Sequence, residues 1–257
     1  MSKDQFGRAY LIIHTGSRNL GRSVAHYYQK QAIAQCHDLY GYDEASDALI
    51  ESLKSDGREK DIQSALQALK GSYTYQPVAL SDELCYLTGK LRDDYLHDMR
   101  ICQKFAMLNR ALISNTIYDQ CVSVLCNHPV CDTGHNYIDD DNIVRKGAVS
   151  ARDGELFILP LNMRDGSLLC RGKGNEDWNF SAPHGAGRAM SRSKARETLN
   201  LNDFKDEMSG VYTTTICAST LDEAPEAYKA EEAIRANLWQ TASIENRLAP
   251  IYNFKAV

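Results

Sequence analysis

The chain is expected to adopt an α+β fold, with a mixed or antiparallel sheet core flanked by helices. Three observations point there. Helical patterning fills most of residues 22–118, β-branched runs separated by Asp-Gly turns fill 134–170, and helical patterns return from 185 before an apolar closing segment. No repeat, low-complexity linker or convincing boundary interrupts the chain, so residues 1–257 are read as a single domain, long enough for a real core.

"YLIIH" (10–14) is a short apolar run ending in "TGSRNLG", read as a strand, a glycine turn and then a helix. The helix "RSVAHYYQKQAIAQC" places Val24, Tyr28, Ala32 and Ala34 near one face. Residues 43–70 are charged and helical, broken in two by "SDGREK". Ser81 is a candidate N-cap for a long helix running to about Tyr118. Beyond it, Asp153-Gly154 and Asp165-Gly166 mark hairpin turns. Helices follow at 185–197, 202–209 and 223–240, and "RLAPIYNFKAV" closes the chain as a strand.

A formal net charge of −5 gives no overall nucleic-acid signature, so any RNA or phosphate must be met by local basic clusters. No apolar run approaches the ~18 residues of a membrane span. Without a secretory leader, the eight cysteines read as reduced thiols of a cytoplasmic protein with no membrane partner. Cys121, Cys126, His128 and Cys131 stand close in sequence but lack paired C-x-x-C spacing, so no zinc is assigned there.

The stretch "SAPHGAGRAMSRSKA" (181–195) holds the most suggestive chemistry. Glycines 185 and 187 allow backbone N–H groups to converge on one spot, and a helix starting there adds its positive end, a setting that holds anions. On that helix Arg188 and Arg192, four apart, would face one phosphate. A neutral His184 touching phosphate would be a nucleophile at phosphorus; a histidine that merely caps the backbone is the other reading. His14 and His135 also stand beside turn residues at element ends, which favours a shared site. His26, His37 and His97 lie within helical runs and stay unassigned. "VRKGA" (144–148) and "PLNMRDGS" (160–167) read by themselves as solvated turns.

Taken in order, "HTGSRNLG", "GHN", "RKGA", P-x-x-M-x-x-x-S, "HGAGRAMSR" and "PIYNFK" resemble the RtcB-type RNA ligases over essentially the whole chain, closest to a bacterial or phage branch. The resemblance implies an RtcB-like fold and a GTP- and Mn2+-dependent ligase. Such an enzyme joins RNA 3′-phosphate or 2′,3′-cyclic phosphate ends to 5′-hydroxyl ends, in RNA repair or tRNA splicing. By position, His184 would carry GMP as a phosphoramidate, and His14 and His135 would bind manganese. His135 and Asn136 would belong to the GMP pocket. Pro160, Leu161, Asn162, Met163 and Ser167 would form the guanylate-contacting loop, although the family's PGSM reads "PLNM" here. Gly185, Ala186 and Gly187 would offer backbone to the nucleotide, Lys255 would read the guanine edge, and Arg18, Arg188 and Arg192 would meet phosphate or RNA.

The resemblance also implies that the chain matches the carboxy-terminal part of the family's catalytic domain. The family's upstream Asp, Cys, Asn-His pair and Glu have no counterpart here, so one manganese would lose its protein ligands and the other keep His14 and His135. An upstream RtcB segment or a helper protein is therefore an expected partner beside RNA and GTP. Two alternatives stand beside the ligase: a non-catalytic guanine-nucleotide- or RNA-binding fragment of the family, and a metal-dependent phosphohydrolase acting through a phosphohistidine on residue 184.

Overall fold

The amino terminus enters the sheet at once: β1 (Ser2–Lys3) and β2 (Ala9–Tyr10) form a hairpin. Its turn is tied by the Asp4 carboxylate, which accepts the N–H groups of Phe6 and Arg8 at 2.9 Å and pairs with the Arg8 guanidinium at 2.7 Å. The expected strand at 10–14 is cut to its first residue, because Leu11, Ile12 and Ile13 find no ladder partner and stay half-buried. The computed structural model describes residues 1–37, 39–72, 80–121 and 130–255. Chain packing divides it into two units, Met1–Thr15 with Met107–Val257, and Gly16–Ala106.

The second unit is helical, built from α1 (Arg18–Cys36), α2 (Leu39–Ser55), α3 (Ile62–Ser72) and the start of α4 (Gly89–Cys121). Tyr28 and Ala32 are buried on the predicted α1 face, and Tyr28 donates to the Asp98 carboxylate at 2.8 Å. Ser81 does not cap α4. It precedes a single 3-10 turn, Asp82–Leu84, after which the chain is extended until Gly89. The end of α1 holds that segment: the Cys36 thiol bonds both the N–H and the C=O of Tyr86, and Gln35 accepts from Thr88 N–H at 2.8 Å.

In the first unit follow β3 (Tyr137–Ile138), β4 (Val144–Arg145), β5 (Ala148–Ser150), β6 (Leu156–Pro160), β7 (Ser167–Gly172) and β8 (Ser181–Pro183). Next come α5 (Arg192–Thr198), α6 (Leu201–Glu207), β9 (Tyr212–Thr213), α7 (Glu231–Leu238), β10 (Ala242–Pro250) and β11 (Tyr252–Asn253). The five-stranded sheet has the order β2-β1-β10-β7-β6, and every pair in it is antiparallel. The closing segment therefore supplies the middle strand, which starts at Ala242 and bulges between Ile244 and Asn246. β11 pairs in parallel with β9, so the sheets are mixed overall.

Alternation along β6 sends Phe157 and Leu159 into a core with Leu168, Cys170, Ala182 and Leu238. Gly166 closes the β6–β7 turn at φ +83°, and a Cβ there would lie 2.1 Å from the Leu248 carbonyl oxygen. Only glycine fits. Met163, Phe204, Met208 and Ala224 form a second core. The helix expected at 185–197 begins only at Arg192, where the Ser191 hydroxyl accepts from Lys194 N–H. Residues 187–189 instead bridge the strand-like backbone around Tyr228. Helix 202–209 is found as α6, and 223–240 begins with two short 3-10 turns before α7.

Candidate active site

Three imidazoles meet in the first unit. The His14 and His135 rings stand edge-to-face at 5.8 Å between centroids, and His135 and His184 are tilted against each other at 5.1 Å. Arg110, on the α4 segment within this unit, holds the two loops that deliver them. It donates to the Thr15 carbonyl at 3.0 Å and makes a two-pronged ion pair with Asp132, both contacts 2.6 Å. His14 is next to the first of these residues and His135 three beyond the second. Nothing in the pattern of the long helix singled Arg110 out.

His184 is fixed from the backbone. Its N–H donates to the Gly147 carbonyl at 3.3 Å, and Gly147 N–H donates in turn to the Asn136 side chain at 3.1 Å. Gly147 has φ +72°, and a Cβ there would come within 4.0 Å of the His184 ring. Asn136, itself left-handed at φ +59°, also hydrogen-bonds His135, so one amide ties two of the three histidines.

"VRKGA" is no solvated turn. Arg145 is fully buried, bonded to Asp139 at 2.5 Å and to the Ser181 hydroxyl at 3.0 Å. It thus anchors the start of β8, the strand that leads directly into His184. Burial alone would raise the Asp139 carboxyl; bonds from Arg145 and Ile143 N–H outweigh it and hold it below the usual carboxylate value.

The turn after His184 packs on β6. Ala186 is buried and its N–H is spent on the Pro160 carbonyl at 3.0 Å; Gly185 lies so close that a Cβ would sit 3.1 Å from that oxygen. Among the described residues the N–H groups of Gly185 and Gly187 donate to no chain atom. The loop 160–167 is also not a solvated turn: Leu161, Met163 and Ser167 are buried. Asn162 spends its side chain locally, donating to Asp165 and accepting from the N–H groups of residues 164 and 165.

Arg188 and Arg192 do not share a helix face, since only Arg192 is helical. They meet all the same, on carboxylates that the sequence reading passed over. Arg188 bonds Glu223 at 2.9 Å and lies over the Tyr228 ring at 4.8 Å; Arg192 bonds the buried Asp222 at 2.8 Å. Glu223 also accepts from Tyr228 at 2.7 Å and from Lys255 at 3.1 Å. Burial would raise Glu223, but Tyr228 and Lys255 hold it below its ordinary value. Asp222 and Glu223, adjacent at the end of a 3-10 turn, carried no sequence signal that they would gather these cations. Arg18 opens α1 with φ +52° and belongs to the helical unit.

Desolvation lowers the His14 pKa below the ordinary imidazole value, reinforced by the Lys255 and His184 charges. His135 is lowered likewise, first by desolvation and then by His184 and His14. Both rings are therefore neutral near pH 7. The cluster "CNHPVC" falls, apart from Val130 and Cys131, outside the described residues. No helix among the described residues is long and apolar enough to cross a membrane.

A family model described as "tRNA-splicing ligase RtcB" matches residues 4–256. RNA-splicing ligase RtcB1 of one Escherichia coli strain is 28% identical over 251 residues, covering 91% of this chain and 52% of that protein. RNA-splicing ligase RtcB of E. coli K12 is 27% identical over 251 residues, with the same coverage. tRNA-splicing ligase RtcB of Aeropyrum pernix is 26% identical over 259 residues, 87% of this chain and 47% of its own length. The chain thus spans about half the length of the curated relatives it matches. With matched segments running from the first hairpin through the histidine cluster to the last strand, the chain belongs to the RtcB family.

Proposed function

We propose that this chain carries the guanylylation centre of a GTP- and Mn2+-dependent RNA ligase. It would join RNA 3′-phosphate or 2′,3′-cyclic phosphate ends to 5′-hydroxyl ends, in RNA repair or tRNA splicing. The observation that carries this reading is the packing of His184 against His135, and of His135 against His14, beside a turn with two unspent amides.

The chemistry needs that arrangement. A terminal phosphomonoester has no leaving group, so a nucleotide must first be attached to it. His184 attacks the α-phosphorus of GTP, a nitrogen–phosphorus bond forms, and pyrophosphate departs. An oxygen of the RNA 3′-phosphate then takes the guanylate, freeing His184. Finally the 5′-hydroxyl oxygen attacks the activated phosphorus, GMP leaves and the hydroxyl proton is lost. A cyclic phosphate is first opened by water.

His14 and His135 suit a divalent cation, being neutral imidazoles brought together by Arg110. A metal ion held there would supply positive charge against phosphate oxygens. Asn136 keeps His135 and the His184 backbone in register, while Gly185 and Gly187 offer N–H groups to an α-phosphate oxygen. Lys255 would donate to guanine O6 and N7, with Glu223 orienting its ammonium. Because Leu161, Met163 and Ser167 are buried, their loop would shape the nucleotide pocket through backbone. Arg192, with 64% of its side chain exposed, is better placed than Arg188 at 22% to lend charge to RNA. Arg18 would serve RNA phosphates from its helix start.

Incubation with α-labelled GTP and Mn2+ tests the reading. Label on the denatured protein should survive base, be lost in acid and be absent from His184→Ala. GTP binding without covalent label would favour the non-catalytic binding fragment. Phosphate release from RNA ends without GTP would favour the phosphohydrolase.

A further inference from the structure

We infer that the helical unit holds a zinc-class metal site made by His37, Asp82 and Cys85, which shares no residue with the histidine cluster. His37 is the residue following α1, where the helix stops. Asp82 opens the 3-10 turn and Cys85 follows its end; at three residues per turn, positions three apart point the same way. One ligand atom from each of the three residues lies within 4.8 Å of the other two, and among the described residues no other group of three or more such ligands does so. His37 Nε2 and the Asp82 carboxylate are 3.2 Å apart, so the ring is already oriented.

The surroundings hold the Cys85 side chain in place. Cys36 hydrogen-bonds the Cys85 thiol and is itself pinned by Tyr86, whose N–H donates to the Cys36 sulfur at 3.2 Å. The segment carrying two of the ligands is thereby held to the helix end carrying the third. An imidazole, a carboxylate and a thiolate form the mixed N/O/S set that selects zinc over magnesium or calcium, with a fourth position left to water. The ligands sit at the start of an extended segment between two helices, so a bound ion would staple Asp82–Cys85 to the end of α1. Sequence reading passed over the site because His37 looked like a helix-surface residue and Cys36 and Cys85 are far apart in the chain.

Co2+ titration of the full chain carrying His14→Ala and His135→Ala tests the inference, because no thiol belongs to that other cluster. One equivalent of Co2+ should give sulfur-to-cobalt charge-transfer absorption in the near ultraviolet. Zinc should abolish it, and Cys85→Ser should remove it. Asp82→Asn changes an exposed residue, 69% accessible, and should weaken Co2+ binding without altering the far-ultraviolet circular dichroism. Zinc should raise the melting temperature of the protein with Cys85 intact and not that of Cys85→Ser. Absorption that persists in Cys85→Ser, or none with fully reduced thiols, overturns the site. So does a Cys36–Cys85 disulfide in protein purified under reductant.

Discussion

Arg145→Met exchanges a buried cation for an apolar chain of similar length, and tests how the fold supports His184. The Arg145 side chain is 0% exposed and its partner Asp139 13%, so the pair is nearly withdrawn from water. Removing one member of a buried pair costs about 3–5 kcal/mol, because the other charge is left uncompensated. Here Arg152 remains at 3.2 Å from Asp139, and the N–H groups of residues 141 and 143 still donate to it. The lower end, about 3 kcal/mol, is therefore expected. At ~2–4 °C per kcal/mol for a domain of this size, the melting temperature of the unit falls by roughly 6–12 °C.

Acid supplies a second readout. Asp139 is lowered in the folded protein, so its stabilisation is present above the ordinary carboxylate value and lost as pH falls through the lower folded one. In Arg145→Met the largest part of that advantage has gone, and the gap between variant and wild type should narrow below about pH 4. The added change Asp139→Asn removes the stranded charge and should recover about half of the loss. Urea unfolding followed by circular dichroism, at neutral and acid pH, measures all of this. The reasoning fails if Arg145→Met unfolds within about 0.5 kcal/mol of wild type, or if the double variant is no more stable than the single.

Further outcomes follow from the same geometry. Arg110→Met frees the loops bearing His14 and His135 and should weaken metal binding at that pair by about 10–100-fold, as loss of ligand-orienting groups does; titration calorimetry reads this, and unchanged affinity counts against the clamp. Because His14 and His135 titrate below the ordinary imidazole value, the unfolded chain takes up their protons first as pH drops. Their stability penalty should grow from about pH 6.5 downward, with histidine C2-proton NMR midpoints under that value. Lys255→Ala should reduce the preference for GTP over ATP more than it reduces metal binding; equal use of both nucleotides by the unmodified protein would remove that role from Lys255. Gly166→Ala places a Cβ 2.1 Å from a carbonyl oxygen at φ +83° and should destabilise by more than about 2 kcal/mol in urea unfolding.

The turns at Gly154 and Gly166 were legible because each needs positive φ after an aspartate, a demand written in two adjacent letters; only the second closes a hairpin, since β5 pairs with β8 and not with β6. The helices were legible for a similar local reason, although their starts were not. Ser81 and the run 185–191 have helix-like sequence signals, yet the chain beyond the 3-10 turn is tied to the Cys36 thiol at Tyr86, and residues 187–189 are bridged to the backbone around Tyr228. Hydrogen bonds to distant segments won over local preference.

The three histidines could be suspected from their neighbours, since glycine or asparagine within two residues of each marks a tight element end. Their supports could not. Arg110, Arg145, Asp222 and Glu223 are ordinary letters in charged or turn-like stretches, and their importance lies in partners 22, 6, 30 and 32 residues away.

The sequence by itself determined the α+β class, the family and the order of the histidine-bearing turns, because periodicity, turn chemistry and motif are properties of neighbouring residues. Only the tertiary structure decided that the last long strand is the middle one, that the arginines are held by carboxylates and that Leu161, Met163 and Ser167 of the loop 160–167 are buried. Those outcomes depend on which remote segments exclude water from each other, and no short window of the chain contains both sides of such a contact.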